Sequence, residues 1–221
     1  MKTSILASVS VVAVVAAGGI WYMTQSAEAP QVAAATDMAE AEQFDVTEMV
    51  QGDPDAAVQV IEYASYTCPH CATFHANQYP QLKENYIDTG KIGFTYREVY
   101  FDRPGLWASM VARCGGEMRF FGLTSLMFEK QQDWARRESG DEIVAALRSI
   151  GKVAGLTDED LDTCLADADQ AQELMAWYQS NAAADEVTGT PSFIINGEKY
   201  SNMSYADFAD VLDEKLAETN G

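Results

Sequence analysis

Basic residues are scarce in this chain of 221 residues. It contains 14 Lys and Arg against 34 Asp and Glu, which gives a formal net charge of −20 at pH 7. A surface of this sign repels nucleic-acid phosphates and anionic lipid headgroups, so neither is expected as a partner. We interpret the charge as a solubilising acidic coat, and an acidic patch that recruits basic substrates is the alternative.

Metal-ligating side chains are also few. The chain has four cysteines and two histidines, with neither a second Cys-x-x-Cys pair nor a His-x-x-x-His pair. A structural zinc ion needs four such ligands at suitable spacing, so zinc is not expected at the pair Cys68 and Cys71. Internal repeats are absent as well, and a chain of this length can bury a core as one domain or as one domain with an insertion.

The N-terminal part of the chain has the pattern of a targeting segment. Lys2 precedes an uncharged, mostly apolar stretch that ends at Met23. Residues 1–23 are therefore predicted to be a signal peptide or, since about 19 apolar residues nearly suffice to span a bilayer, an N-terminal membrane anchor. Residues 24–43, rich in Ala, Glu and Gln, are predicted to be a linker. In both cases the rest of the chain is expected in the periplasm or cell envelope, where disulfides persist.

The most informative motif is Cys68-Pro69-His70-Cys71. The run from Val58 to Ala64 before it is rich in β-branched and aromatic residues and predicts a strand, and helical spacing follows it. Cys68 is thus expected at a helix N-terminus, with Pro69 in the first turn. Unpaired N–H groups and the helix dipole stabilise a thiolate there, and thiolate is the reactive form of cysteine. The context favours a redox disulfide over a metal site or a purely structural bridge.

The remaining pattern predicts β-β-α-β, then helices, then β-β-α. Further strands are expected over 44–50, 91–100, 192–195 and 198–200, with Asn196-Gly197 as a hairpin turn. A helix over 69–88 should be kinked or split by Pro80. Asp141 and Thr157 are expected to cap helices in the strand-free region. This order predicts an α/β fold with a mixed sheet, helices on both faces and a helical insertion.

The chain resembles the DsbA-like thiol:disulfide oxidoreductases of the thioredoxin superfamily. Three features carry the resemblance: the Pro-His dipeptide between Cys68 and Cys71, the segment Gly189–Gly197, similar to the family's cis-proline loop, and Glu62, six residues before the first cysteine, where these proteins carry a partly buried acid. The resemblance covers about 44–221.

The resemblance implies a thioredoxin fold, a central mixed β-sheet flanked by helices, with an inserted α-helical domain. On this basis residues 44–103 and 186–221 form the thioredoxin-like domain. Residues 104–185 form the helical insertion.

The resemblance also assigns roles around the motif. Cys68 would be the exposed nucleophile that forms a mixed disulfide with a substrate, and Cys71 would resolve it. His70, after Pro69, would stabilise the Cys68 thiolate and make the disulfide a stronger oxidant. Glu62 would relay protons to Cys71, the alternative being a glutamate exposed at a sheet edge.

The loop Thr190-Pro191 is expected to bind substrate. Pro191 would be cis, and the loop would present the backbone of Thr190 to an extended substrate. An ordinary trans turn proline is the alternative. Threonine before the proline is more familiar in envelope disulfide isomerases than in the best-known oxidases, so the direction of the reaction stays open. His75, four residues after Cys71, is interpreted as structural.

Cys114 and Cys164 fall in separate predicted helices. In an exported protein two remaining cysteines are expected to pair, here as a structural disulfide that closes a loop of about 50 residues. A second redox pair and two free buried thiols are the alternatives.

The implied function is that of an envelope thiol:disulfide oxidoreductase. The leading hypothesis is an oxidase that introduces disulfides into exported proteins and is reoxidised by a membrane partner of the DsbB type. The alternatives are an isomerase or reductase kept reduced by a DsbD-type membrane donor, and a non-catalytic binding or chaperone module. Beyond the redox-active cysteine pair, no cofactor and no metal are expected, and a monomer is favoured.

Overall fold

The described part of the protein is residues 44–219 of a computed structural model. The predicted signal or anchor over 1–23 and the predicted linker over 24–43 lie outside these residues. Within 44–219, no helix is long and apolar enough to cross a membrane.

A five-stranded mixed sheet lies at the centre of the described residues. Its strands are β1 (Met49–Gly52), β2 (Gln59–Ala64), β3 (Gly93–Glu98), β4 (Ser192–Ile195) and β5 (Glu198–Ser201). Their order across the sheet is β1-β3-β2-β4-β5. Strands β2 and β3 run parallel, and the other neighbours are antiparallel. Strand β2, which leads to the cysteine motif, is therefore the central strand.

Helices interrupt and follow the strands of this sheet along the described chain. They are α1 (Pro69–Asn77), α2 (Tyr79–Leu82), a π-helical turn (Lys83–Ile87), α3 (Arg103–Cys114), α4 (Glu117–Glu129), α5 (Gln131–Trp134), α6 (Gly140–Val153), α7 (Asp158–Ala166), α8 (Ala168–Ala184) and α9 (Tyr205–Thr219). Helices α3 to α8 all lie between β3 and β4 in sequence. The predicted thioredoxin fold with a helical insertion is confirmed, while the exact domain limits stay a prediction.

The two faces of β2 are covered by different helices. Alternate residues of a strand point to opposite sides of the sheet. Val60 belongs to one hydrophobic cluster with Phe74 of α1, whereas Tyr63 belongs to another with Tyr178 of α8. Glu62 has the same parity as Val60, so its side chain faces α1. The strand thus directs one carboxylate towards the helix that begins with the cysteine motif.

A buried ion pair joins the helical insertion to the sheet. Arg113, near the end of α3, donates from Nε and Nη2 to the carboxylate of Glu98 at 2.8 and 2.7 Å. The next residue, Cys114, is disulfide-bonded to Cys164 of α7, with Cα atoms 5.9 Å apart. The sheet, α3 and α7 are therefore connected in series by an ion pair and a covalent bond.

The first strand differs from its prediction over 44–50. It begins at Met49 and continues to Gly52. Before it, the carbonyl of Thr47 accepts a hydrogen bond from Nη1 of Arg113 at 2.9 Å, and Glu48 binds Arg97. The two residues before Met49 are thus bound by Arg113 and Arg97 rather than by a neighbouring strand, and pairing with β3 starts only at Met49.

Two helix boundaries bear on the predictions from sequence. Ser139, not Asp141, caps α6: its hydroxyl accepts from the N–H of Glu142, and the Glu142 carboxylate accepts from the N–H of Ser139, each at 3.3 Å. This reciprocal pair satisfies two free N–H groups, which Asp141 inside the first turn does not. The predicted split at Pro80 is confirmed, because α1 ends at Asn77 and the proline lies in the first turn of α2.

Candidate active site

Cys68 is the N-cap residue of α1. Its backbone is extended, with φ −80° and ψ 119°, and Pro69 begins the helix. Proline suits this position because its missing N–H would be unpaired in any case. The thiol of Cys68 donates to the carbonyl of Thr190 at 3.5 Å, and the Thr190–Pro191 peptide bond is cis. The cysteine motif and the proline loop, 122 residues apart in sequence, therefore meet at the helix start.

The surroundings of Cys68 favour its thiolate. They lower its pKa from the ordinary 9.0 to about 5. The largest cause is a hydrogen bond from the thiol of Cys71, and Thr190 and the backbone N–H groups of Cys71 and His70 lower the pKa further, while burial opposes them. At neutral pH the reduced protein consequently carries a thiolate at the N-terminus of α1.

Cys71 has the opposite character. It is fully buried, and burial raises its pKa, followed by its hydrogen bond to Cys68 and the negative charge of Glu62. Both cysteines are unbonded, so the structure shows the reduced pair. Cys68 is also buried, with 8% of its surface exposed, so the expectation of an exposed nucleophile is wrong. Its sulfur is a stabilised anion, and that of Cys71 is a thiol that gives up its proton reluctantly.

Glu62 is fully buried on the central strand, so the alternative of an edge-exposed glutamate is wrong. Both of its carboxylate oxygens lie within hydrogen-bond distance of Nε2 of His75, at 3.1 and 3.0 Å. A buried carboxylate is costly unless a partner serves it, and the imidazole is that partner. Glu62 and His75 are therefore in direct contact, and the Glu62 charge is close enough to Cys71 to raise the pKa of its thiol.

The contact with Glu62 is absent from the sequence interpretation of His75 as structural. The ring does pack in the core, stacked on Phe128 of α4 with centroids 4.1 Å apart and near Tyr79 at 4.7 Å. His75 lies four residues after Cys71, so both residues are on the same face of α1, and this face is directed towards Glu62. That spacing was the available signal for the contact.

His70 acts on Cys68 through its backbone N–H, whereas its side chain is exposed. The sequence interpretation expected the imidazole to stabilise the thiolate. The structure shows a backbone contribution, because N–H groups in the first turn point towards the N-cap residue, and stabilisation by the imidazole itself stays a prediction.

Gln131 is a further site residue, and sequence reasoning missed it. Its side chain is buried at the start of α5, and Nε2 donates to the carbonyl oxygens of Tyr66 at 2.8 Å and Cys68 at 2.9 Å. The helical insertion thereby fixes the loop that enters the cysteine motif. Gln131 lies 63 residues from Cys68 in sequence, and no local pattern marks such a contact.

Chemically, this arrangement can exchange a disulfide with another cysteine pair. Within residues 44–219, no group of three or more His, Cys, Asp or Glu side chains is placed to hold a metal ion. A family model described as Thioredoxin matches residues 44–214. The chain belongs to the thioredoxin family and, within it, to the DsbA-like thiol:disulfide oxidoreductases.

Related sequences agree with this assignment. A Rickettsia bellii protein, named provisionally a protein-disulfide oxidoreductase, is 37% identical over 177 residues, which cover 80% of this chain and 67% of the relative. Matches to four other Rickettsia proteins cover 62–63% of those relatives, so the chain spans somewhat less than two thirds of their length. Disulfide bond formation protein D of Bacillus subtilis is 22% identical over 178 residues, 76% of each chain.

Solved structures are similar over most of the chain. The crystal structure of Wolbachia pipientis alpha-DsbA1 matches with a TM-score of 0.73 and 27% identity, and covers 78% of this chain and 92% of that one. BdbD of Bacillus subtilis, in its oxidised form, matches with a TM-score of 0.68 and 22% identity over 77% of this chain and 93% of that one. The second likeness supports the fold alone.

Proposed function

We propose that the chain is a DsbA-like oxidase that introduces disulfides into exported proteins. The observation that carries the proposal is the difference between the two thiols, with the pKa of Cys68 lowered to about 5 and that of Cys71 raised. A stabilised thiolate stabilises the reduced protein, and a stabilised reduced form makes the disulfide a stronger oxidant. The same low pKa makes Cys68 a good leaving group when a substrate thiolate displaces it.

The exchange proceeds in two steps. A substrate thiolate attacks the sulfur of Cys68 in the oxidised pair, a mixed disulfide forms, and Cys71 leaves and takes up a proton. A second substrate thiolate then attacks the substrate sulfur of the mixed disulfide and releases Cys68 as a thiolate. The substrate gains a disulfide and loses two electrons, which the cysteine pair receives.

The loop Thr190-Pro191 is the proposed substrate platform. It contacts the sulfur of Cys68 through the Thr190 carbonyl, so a peptide aligned along the loop would bring its cysteine to the reacting sulfur. Main-chain hydrogen bonds to such a loop give affinity with little dependence on sequence, as an enzyme for many substrates needs.

The cellular setting is part of the proposal. The apolar stretch that ends at Met23 supports export to the periplasm or cell envelope, and the disulfide Cys114–Cys164 fits an oxidising compartment. Cysteine-containing exported proteins would be the substrates, and a DsbB-type membrane protein would accept the electrons. No cofactor beyond the cysteine pair is needed for this cycle. We assign a structural role to the Cys114–Cys164 bond.

An isomerase or reductase is the second candidate. Thr190 supports it, because threonine before the proline resembles envelope isomerases. A DsbD-type donor would then keep the pair reduced.

Oxidation of a reduced peptide with two cysteines tests the function. The oxidised protein should convert the peptide to its disulfide, and Cys68→Ser should abolish the reaction, whereas the double variant Cys114→Ser, Cys164→Ser should retain it. Activity in Cys68→Ser would contradict the assigned nucleophile. Efficient repair of a scrambled disulfide protein, without net oxidation of the peptide, would favour the isomerase.

A further inference from the structure

His75 contacts the buried carboxylate of Glu62 and also lines a cavity beside α1. Its Nε2 contacts both oxygens of Glu62. Its second nitrogen, Nδ1, is buried and has no hydrogen-bond partner among the described residues. A buried imidazole nitrogen without a partner is costly unless it serves a purpose or meets a water molecule. Glu62 accounts for the position of Nε2, whereas Nδ1 is left without a partner and needs an explanation.

A cavity of about 490 Å³ lies beside this histidine. His75, Tyr79 and Phe128 contribute to its wall, so it lies between α1, α2 and α4. Ser125 and Glu129, which also line it, are exposed, and the cavity thus reaches the protein surface. It is large enough for several water molecules, which makes it a route between the buried imidazole and solvent.

The buried thiol has a proton to exchange in every cycle. Cys71 takes up a proton when it leaves the disulfide and gives one up when it attacks a mixed disulfide, yet it is fully buried. Glu62 is close enough for its charge to raise the pKa of Cys71, but it is fully buried as well. The hydrogen bond to His75 continues this group towards the cavity.

We infer that His75 is a positioning residue that holds the Glu62 carboxylate towards the dithiol and conducts protons between that carboxylate and the cavity. The inference rests on the proposed exchange activity. When Cys71 attacks, its proton passes to the Glu62 carboxylate. The imidazole, brought to its Nδ1–H tautomer by exchange with water in the cavity, accepts the carboxyl proton at Nε2 and releases the Nδ1 proton to the cavity. This restores the contact in which Nε2–H donates to the carboxylate. When Cys71 is released, the same transfers run in reverse.

Several ionisable groups surround this path. They are Glu62 on β2, Cys71 on α1, Tyr79 on α2, Tyr96 on β3, and Lys83 and Glu129 at the cavity. Lys83 is already paired with Asp88. The pKa values of Tyr79 and Tyr96 are raised, mainly by burial, so both phenols stay protonated near neutral pH. Cys71, Glu62 and His75 are then the groups that change protonation along the path.

The test separates the two chemical steps in the full-length reduced protein. Oxidised glutathione is the probe: Cys68 attacks it first, and Cys71 then resolves the mixed disulfide, with both species counted after acid quenching. His75→Gln keeps an amide that can hydrogen-bond Glu62 but cannot relay a proton. We expect it to slow resolution at least 10-fold near pH 7, since general acid–base groups contribute about 10²–10⁴-fold, with the first step unchanged. Tyr79→Phe, on the same cavity wall, is the control and should leave both steps unchanged.

A chemical rescue distinguishes proton transfer from packing. His75→Ala opens space next to the cavity, and added imidazole should restore its resolution rate with a pH profile that follows the added base. Equal resolution rates in wild type and His75→Gln would overturn the inference while leaving the proposed function intact. Slow resolution in His75→Ala without any rescue by imidazole would also overturn it, because a packing role would then suffice. Failure of the oxidised wild type to oxidise the reduced two-cysteine peptide would instead refute the proposed function.

Discussion

Replacement of Cys71 probes the main cause of the low pKa of Cys68. The thiol of Cys71 donates a hydrogen bond to the Cys68 sulfur, and this bond is the largest single influence on the pKa. A hydrogen bond to a charged group contributes about 1.5–3 kcal/mol, and one pKa unit corresponds to about 1.4 kcal/mol. Cys71→Ala should therefore raise the pKa of Cys68 by about 1–2 units. Cys71→Ser, which keeps a hydroxyl donor, should raise it less.

The assay follows the thiolate directly. Its absorbance near 240 nm and the rate of alkylation by iodoacetamide are measured against pH in the wild type and both variants. Because Cys114 and Cys164 are bonded to each other, they contribute no thiolate signal. The expected midpoints are about 5 for the wild type and about 6–7 for Cys71→Ala. A wild-type midpoint near 8.5, the value of an unperturbed cysteine, would refute the reasoning, and identical midpoints in wild type and Cys71→Ala would refute the assigned cause.

Three further predictions concern stability, each measured by chemical denaturation. The pKa of Cys68 is lower in the folded protein, so its thiolate adds to the free energy of unfolding above about pH 9, and this contribution disappears as the pH falls to about 5. At pH 7 the contribution is about 2 kcal/mol after solvent screening. Cys68→Ser should remove this pH dependence from the reduced protein. The double variant Cys114→Ser, Cys164→Ser should lose about 4 kcal/mol, and an unchanged free energy of unfolding would contradict a structural role. Gln131→Leu leaves the buried carbonyl of Tyr66 without its donor, while the carbonyl of Cys68 still accepts from the N–H of Ala72 at 3.2 Å. It should cost about 1–3 kcal/mol, against less than about 0.5 kcal/mol for the neighbouring, exposed Gln132→Leu, and equal costs would contradict the assigned clamp.

Local patterns were sufficient for the framework of the site. The change from strand to helix spacing placed Cys68 at a helix start, and Pro69 agrees with that position because proline is tolerated in the first turn. The Asn196-Gly197 pair was recognisable as a hairpin turn, since both residues adopt positive φ values of 47° and 86°. Each of these features is decided by residues close to one another in sequence.

The contacts that complete the site depend on tertiary packing. His75 meets Glu62 only because α1 packs on one face of β2, and an imidazole four residues after a cysteine has no unique partner in the sequence. Gln131 meets Cys68 only after the insertion folds back on the motif. The start of β1 was likewise set by a distant side chain, because Arg113 holds the carbonyl of Thr47 before the strand begins.

The reduction potential of the Cys68–Cys71 pair, measured by equilibration with glutathione, tests the central claim most directly. Stabilisation of the reduced form by the low pKa of Cys68 raises the potential by about 40 mV for 2 kcal/mol, in addition to the effect of the buried partner thiol. The expected potential is clearly above the roughly −220 to −260 mV of cellular glutathione, in the direction of strong oxidants at about −120 mV. A potential equal to that of glutathione or below it would contradict the assignment as an oxidase.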